Sequence, residues 1–155
     1  MDLHDYLIDQ SGKDWQELLL DWSPPLPSSF QVWMVNRFGD LFVAFDDRSI
    51  HMLDVGASTL TRVADDREHF ADLADLDDNA NNWFLINLVD QCVAAGKVLK
   101  SNQCYGYKMP PILGGEYSVE NTVPTDLAVH YSFLADIYRQ TKDLPNGSRI
   151  RVVAK

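Results

Sequence analysis

The chain of 155 residues has only two cysteines, Cys92 and Cys104. Two cysteines are too few for a disulfide framework, and reduced thiols are the normal state inside a cell. No run approaches the roughly 18–20 consecutive apolar residues that a membrane-spanning helix needs. The N-terminal stretch MDLHDYLIDQ is acidic and lacks the basic region and apolar core of a signal peptide. These absences predict a cytoplasmic protein.

Basic residues are also scarce, because 13 Lys and Arg face 23 Asp and Glu for a net charge of −10. The imbalance lies in the first half, where residues 1–78 hold 17 acidic residues against 5 basic ones; residues 79–155 hold 6 against 8. Such a field repels phosphate backbones and attracts basic surfaces. We therefore predict no direct nucleic-acid binding and a protein partner with a basic surface.

Motifs for cofactors and catalysis are missing as well. The chain has no P-loop, no GxGxxG and no GxSxG, and neither cysteine lies in a CxxC pair. Asp75, Asp77 and Asn79 match the first ligand positions of a calcium loop, but Ala80 replaces the required glycine and Ile86 the bidentate glutamate. The sequence predicts no metal, no cofactor and no enzymatic activity.

Three catalytic alternatives stay open at this point. They are a nucleophilic pair of Cys104 with His130, a pair of Cys92 with His51, and acid–base chemistry by Glu116 or Glu120.

Hydrophobic periodicity outlines the first half of the chain. Trp15, Leu18, Leu19 and Trp22 recur at helical spacing before a proline-rich connector at 24–27, which we expect to be stiff and extended. The runs FQVWMV, LFVAF, SIHMLD and TLTRV then predict four strands of an antiparallel meander. In the third run, alternation allows either Ile50, Met52 and Asp54 or His51 and Leu53 to face inward.

Helices dominate the second half. We predict a short acidic helix in 65–78 with Phe70, Leu73 and Leu76 on its apolar side, and a central helix that Asn81 or Asn82 caps and Gly96 ends. A strand follows at 97–108, then a helix capped by Thr125 and apolar on two sides, a turn at 144–147 and a last strand at 149–153. The predicted class is α+β: one domain with a small antiparallel or mixed sheet and helices packed on one face.

We expect residues 1–27 to form a helical lead-in and connector, and residues 28–155 to form one globular unit.

The most distinctive segment is the stretch 104–121, CYGYKMPPILGGEYSVEN. Pro110 and Pro111 exclude a continuous helix or central strand, whereas Gly114 and Gly115 permit positive φ or a close backbone approach. The segment predicts a shaped, rigid loop. It is either a structural corner or a surface that contacts a partner or ligand.

This stretch, followed by DLAVHYSFLADIYRQ and DLPNG, resembles the C-terminal domain family of Tdi-type immunity proteins of type VI secretion, also known as domain of unknown function 1851. The segments NRFGDLFV, IHMLDVGASTL and NWFLINLVDQCVAAG are similar to the same family, so the resemblance covers about residues 30–147. It implies a non-catalytic protein that binds a cognate toxic effector, a nuclease, and covers its active site. The alternative is a small-ligand or regulatory module that uses the loop 104–121.

Tyrosine and tryptophan often dominate binding energy at interfaces, and acidic residues steer basic partners. The predicted partner-binding residues are Trp33, Asp72, Asp75, Asp78, Tyr105, Tyr107, Gly114, Gly115, Glu116 and Tyr117.

Overall fold

The computed structural model of the chain describes residues 3–144. Before the first strand it has a 3₁₀ helix at Leu3–Tyr6, helix α1 at Trp15–Leu18 and a 3₁₀ helix at Leu20–Trp22. Strands β1 to β4 are Gln31–Val35, Leu41–Ala44, Ile50–Asp54 and Thr59–Ala64, and helices α2 to α4 are Arg67–Ala74, Asn79–Phe84 and Ile86–Ala94. Strand β5 (Gln103–Tyr107), a 3₁₀ helix (Pro111–Leu113), strand β6 (Thr122–Asp126) and helix α5 (Leu127–Thr141) follow.

The predicted meander is confirmed. Strands β1, β2, β3 and β4 pair in that order, each antiparallel to its neighbour. Strands β5 and β6 form a second antiparallel sheet, and β6 is a strand that the sequence reading missed. The last predicted strand at 149–153, and all but the first residue of the turn at 144–147, lie outside the described residues.

The α+β class is confirmed, but helices cover both faces of the larger sheet instead of one. In β2, Leu41 and Val43 face a first core with α5, whereas Phe42 faces a second core with α2, α3 and α4. In β3, Leu53 belongs to the first core and Ile50 to the second, so neither alternating set is buried alone. Consecutive apolar residues are the pattern of strands buried on both faces.

The segment before β1 contributes to both cores. Trp22 is fully buried, and its Nε1 donates a hydrogen bond to the carbonyl of Tyr131 in α5 (3.1 Å). The connector after it was predicted to be extended, but it turns: Leu26 N donates to Trp22 O (2.8 Å) and Ser23 Oγ donates to Leu26 O (2.7 Å). The turn brings Leu26 into the first core, which explains the departure from an extended path.

Two helices replace the predicted central one. Leu85 adopts positive φ (50°) and breaks the helix between α3 and α4. The residue at the N-cap of α3 is Asp78, and Asn81 lies inside α3, where its Oδ1 accepts from Asn87 N (3.1 Å) in the first turn of α4. The acidic helix α2 ends at Ala74, which leaves Leu76 exposed.

The C-terminal boundary of α4 was predicted correctly. Gly96 has φ +82°, Gly96 N donates to Val93 O and Lys97 N donates to Cys92 O, which is the Schellman arrangement. Strand β5 starts only at Gln103, later than predicted.

The N-cap and the burial of α5 differ from prediction. Asp126 caps the helix through Ala128 N (2.9 Å), while the predicted cap, Thr125, lies in β6. One side of α5 is buried, but Val129 and Phe133 are exposed, so α5 is not buried on two sides as predicted.

Candidate functional site

The loop 108–121 lies at one end of the four-stranded sheet, which we call the loop end: the end with the 36–39 and 55–58 turns. Ile112 N donates to Gly56 O (3.0 Å), and Tyr105 N in β5 donates to Arg37 O (2.7 Å). The first turns of α5 reach the same end, because Tyr131 Oη donates to Gly39 O (2.7 Å). The loop end therefore gathers parts of the chain that are distant in sequence.

The glycines and an asparagine fix the shape of this loop. Gly114 has φ +93°, a conformation that glycine adopts without strain. A Cβ at Gly115 would stand 1.7 Å from Met109 O, so no other residue fits there. Asn121 clamps the loop, since its Oδ1 accepts from Met109 N (2.9 Å) and its Nδ2 donates to Met109 O and Glu116 O (both 2.8 Å). The predicted shaped loop is confirmed.

The three tyrosines of the segment differ sharply in exposure. Tyr105 is 2% exposed, and its Oη donates to Lys97 O (2.6 Å); Tyr107 is 9% exposed and stacks on Phe38 at 5.6 Å between ring centroids. Tyr117 is 47% exposed and packs edge-on against Tyr107 (6.0 Å). Tyr105 and Tyr107 thus support the surface from the core, which corrects their prediction as partner contacts, and only Tyr117 presents its ring.

The remaining predicted site residues form a second group around α2. Asp72, Asp75 and Asp78 are exposed, and none has a Lys or Arg partner within 4 Å among residues 3–144. Trp33 in β1 is half-buried, 4.9 Å from the ring of Phe70 and 5.3 Å below the guanidinium of Arg67. Strand β4 ends opposite the loop end, so α2 begins at the end of the sheet that is remote from the loop.

Beneath the loop end lies a pair of carboxyl groups that the sequence did not reveal, the buried Asp40 and the half-buried Asp54. Asp40 accepts from Asn36 Nδ2 (3.1 Å) and Val55 N (3.1 Å), and Asp54 accepts from Ala57 N (3.0 Å). The two carboxyls lie close enough to influence each other's protonation. Burial, together with the charge of Asp54, raises the pKa of Asp40 well above its usual range, and burial also raises the pKa of Asp54. The pair therefore keeps a proton to a higher pH than a free aspartic acid does.

The only sequence signal for this pair was the inward alternative for Asp54 in the third strand. An aspartate that follows glycine at a hairpin end, as Asp40 does, has the ordinary pattern of an exposed turn residue.

Asn36 organises this cluster. Its Nδ2 donates to Asp40 Oδ2 and to Trp83 O (2.9 Å), and its Oδ1 accepts from Phe38 N (2.9 Å) and Asp40 N (3.0 Å). Every donor and acceptor of the amide is used, which is how a buried polar group becomes stabilising.

Other titratable groups around the pair are held in their neutral forms. Burial raises the pKa of Tyr107, with further contributions from Asp40 and Asp54, and it raises the pKa of Tyr117 in the same way. His130 contacts Phe38 O through Nε2 (2.9 Å), and burial lowers the pKa of its imidazole to about 4. Burial also raises the pKa of the Cys104 thiol, so a pair with His130 lacks the thiolate that nucleophilic catalysis needs.

The other catalytic alternatives find no support in the geometry. Cys92 belongs to the second core. His51 lies two residues before Leu53 in β3 and so shares its face, which is the face of the first core, and the sheet therefore separates His51 from Cys92. Glu116 and Glu120 are exposed.

One further cluster resembles a catalytic triad in composition only. Ser49 Oγ donates its proton to Asp47 Oδ1, so His51 Nε2 must donate to Ser49 Oγ (2.9 Å) and cannot act as its base.

The described part of the chain holds neither a cluster suited to a metal ion nor a membrane-spanning helix. Within residues 3–144 no group of three or more His, Cys, Asp or Glu side chains is arranged to hold a metal ion. In the same range no helix is both long enough and apolar enough to cross a bilayer.

The fold and the loop end thus define a small α+β protein with a shaped, exposed surface on a buried polar base. Residues 64–138 match the family model described as T6SS immunity protein Tdi1, C-terminal. The match runs from the last residue of β4 into α5 and includes the whole loop, just under half of the chain. It confirms the resemblance for this segment, and it supports a role in type VI immunity. None of the curated proteins matches the chain.

Proposed function

We propose that this protein is an immunity protein that binds a cognate type VI effector and neutralises it by covering its active site. The match of residues 64–138 to the Tdi1 C-terminal family carries the proposal. In this proposal the protein acts in the cytoplasm without catalysis, and its partner is a nuclease with a basic surface. The protein itself does not touch the nucleic acid.

The loop end is the surface that suits this role best. Twelve large hydrophobic residues are exposed in the described chain, and half of them fall in the short span 109–133. These six are Met109, Ile112, Tyr117, Val123, Val129 and Phe133. They belong to the loop, its flanking strand β6 and the first turns of α5, and all lie inside the matched segment. Exposed apolar side chains concentrated at one end of a domain favour a protein contact.

The loop is also pre-organised for binding. The Asn121 clamp, the hydrogen bond from Ile112 to Gly56 and the buried Tyr107 beneath hold the loop in one shape. A surface that is already ordered loses little conformational entropy when a partner binds. Gly114, Gly115, Glu116 and Tyr117 keep their proposed place in the interface, with Tyr105 and Tyr107 as its support.

The acidic group around α2 is proposed to speed association. Its carboxylates are exposed and unpaired by Lys or Arg within residues 3–144, so their field reaches solvent. Such charges raise the rate of encounter with a basic partner more than they raise the affinity of the final complex.

The proposal is tested by binding to the toxic domain of the effector encoded beside this protein. Tyr117→Ala and Phe133→Ala are each expected to weaken binding, by roughly 30-fold if the residue is a hot spot worth about 2 kcal/mol. Val98→Ala is the matched control, because Val98 is exposed and inside the matched segment but is not part of the loop 108–121. Protection of cells that express the effector should fall in the same order. If all three substitutions change binding equally, the loop end is not part of the interface.

The steering part has its own test. A variant that combines Asp72→Lys, Asp75→Lys and Asp78→Lys should associate with the effector more slowly at low ionic strength. Its dissociation rate should be nearly unchanged. The control is Asp143→Lys, a substitution of another exposed aspartate. An unchanged association rate in the triple variant contradicts the steering role.

A further inference from the structure

A groove of about 790 Å³ lies beside the outer edge of β1, between the N-terminal segment and residues 99–103. The N-terminal segment is held on this edge because Ile8 N donates to Val35 O (2.8 Å) and Gln10 Nε2 donates to Trp33 O (3.0 Å). The volume is in the range of small-molecule sites, roughly 300–1,000 Å³. Neither the loop end nor the family match accounts for this groove.

The walls of the groove combine apolar and cationic side chains. Leu3, Leu7, Trp33 and Leu99 supply apolar surface, and Arg37 and Lys100 supply positive charge. Asp9 is the carboxylate on the rim, and it is already engaged by Ser11 N (2.9 Å). In a chain with a net charge of −10, two cations beside apolar walls are an unusual local setting.

Arg37 has unused hydrogen-bonding capacity. Its Nη2 donates to His4 O (3.2 Å), but its Nε is buried without a hydrogen-bond partner, and no carboxylate lies within 4 Å among residues 3–144. A buried donor without an acceptor requires an explanation, and a carboxylate is the acceptor that a guanidinium binds best. Lys100 is exposed and makes no ion pair in the same range.

We propose that this groove binds a small amphipathic carboxylate, with its charged group on Arg37 and Lys100 and its apolar body against Trp33 and Leu99. The groove is large enough for one such molecule. Its apolar walls can bury the apolar body of the ligand, and acetate, which has only a methyl group, gains little from that burial. The site goes beyond the proposed immunity function and does not depend on it.

The experiment uses the full chain and three probes: 2-naphthoate, its neutral analogue 2-naphthylmethanol, and acetate. Naphthoate is expected to raise Tm in a concentration-dependent way and to shift the indole NMR signal of Trp33. The neutral alcohol and acetate should each bind at least 10-fold more weakly, because one lacks the charge and the other the apolar body.

Two variants locate the charge. Lys100→Met should weaken naphthoate binding several-fold without loss of stability, since Lys100 is exposed, and Arg37→Met should abolish it. Lys108→Met is the matched control, an exposed lysine outside the groove. The proposal is overturned if naphthoate does not bind at millimolar concentration, if the alcohol binds equally well, or if Lys100→Met and Lys108→Met behave alike.

Discussion

Replacing Asp40 by asparagine is expected to remove the part of the wild-type loss of stability with rising pH that Asp40 causes. Asparagine has nearly the same shape as a protonated aspartic acid, so it can donate to Asp54 and accept from Val55 N. Asn36 Nδ2 loses one acceptor in the exchange. In mildly acidic solution the variant should therefore be less stable than the wild type by about 1–2 kcal/mol, the effect of one unsatisfied buried group.

The sign of the pH effect follows from the direction of the pKa shift. The pKa of Asp40 is raised in the folded state, so the folded protein binds this proton more tightly than the unfolded chain does. The wild-type free energy of unfolding is highest below about pH 4, where the unfolded group titrates, and it falls as pH rises towards the raised pKa. One proton gives a slope of about 1.4 kcal/mol per pH unit. The two stability curves should cross at about pH 4.5–5.5.

Urea unfolding from pH 4.5 to 9 at constant ionic strength, followed by tryptophan fluorescence, measures this difference. Both proteins contain His130, whose lowered pKa produces the opposite slope between about pH 4 and 6.5, so its effect cancels when the curves are subtracted. Asp75→Asn is the control for the removal of one carboxylate, because Asp75 is exposed. Parallel curves for wild type and Asp40→Asn would refute the raised pKa of Asp40.

Three more outcomes are expected. In urea unfolding, Asn36→Ala should lower the free energy of unfolding by about 3–5 kcal/mol, because it leaves several buried backbone groups without a hydrogen-bond partner. The control Asn82→Ala replaces an exposed residue and should change that free energy by no more than about 0.5 kcal/mol. Asn121→Ala should speed amide hydrogen exchange in the loop with a global loss of only about 1 kcal/mol, and unchanged exchange would contradict the clamp. In the Asp40→Asn background, lowering the pH from 6.5 to 4 should remove up to about 3 kcal/mol that neutral His130 contributes, and His130→Gln should abolish that loss.

Local features of the chain were readable from the sequence wherever neighbours along the chain decide the structure. Four short β-rich runs separated by turn residues specify an antiparallel meander, because hairpins join strands that are adjacent in sequence. Gly96 ends α4, and Gly114 and Gly115 shape the loop, for steric reasons that belong to the residue itself. The family resemblance was likewise visible in the segments that the family model matches.

The interior of the loop end was decided only by the tertiary structure. Tyr105 and Tyr107 carry the same side chain as Tyr117, yet they are buried because Phe38 and the chain around α4 pack over β5. Asp40 looks like a turn residue until the loop and α5 cover it, and contacts such as Tyr131 Oη to Gly39 O join groups 92 residues apart. Sequence by itself determined which segments form strands and tight turns. Burial, and with it the protonation of Asp40, depends on distant segments whose packing no local pattern encodes.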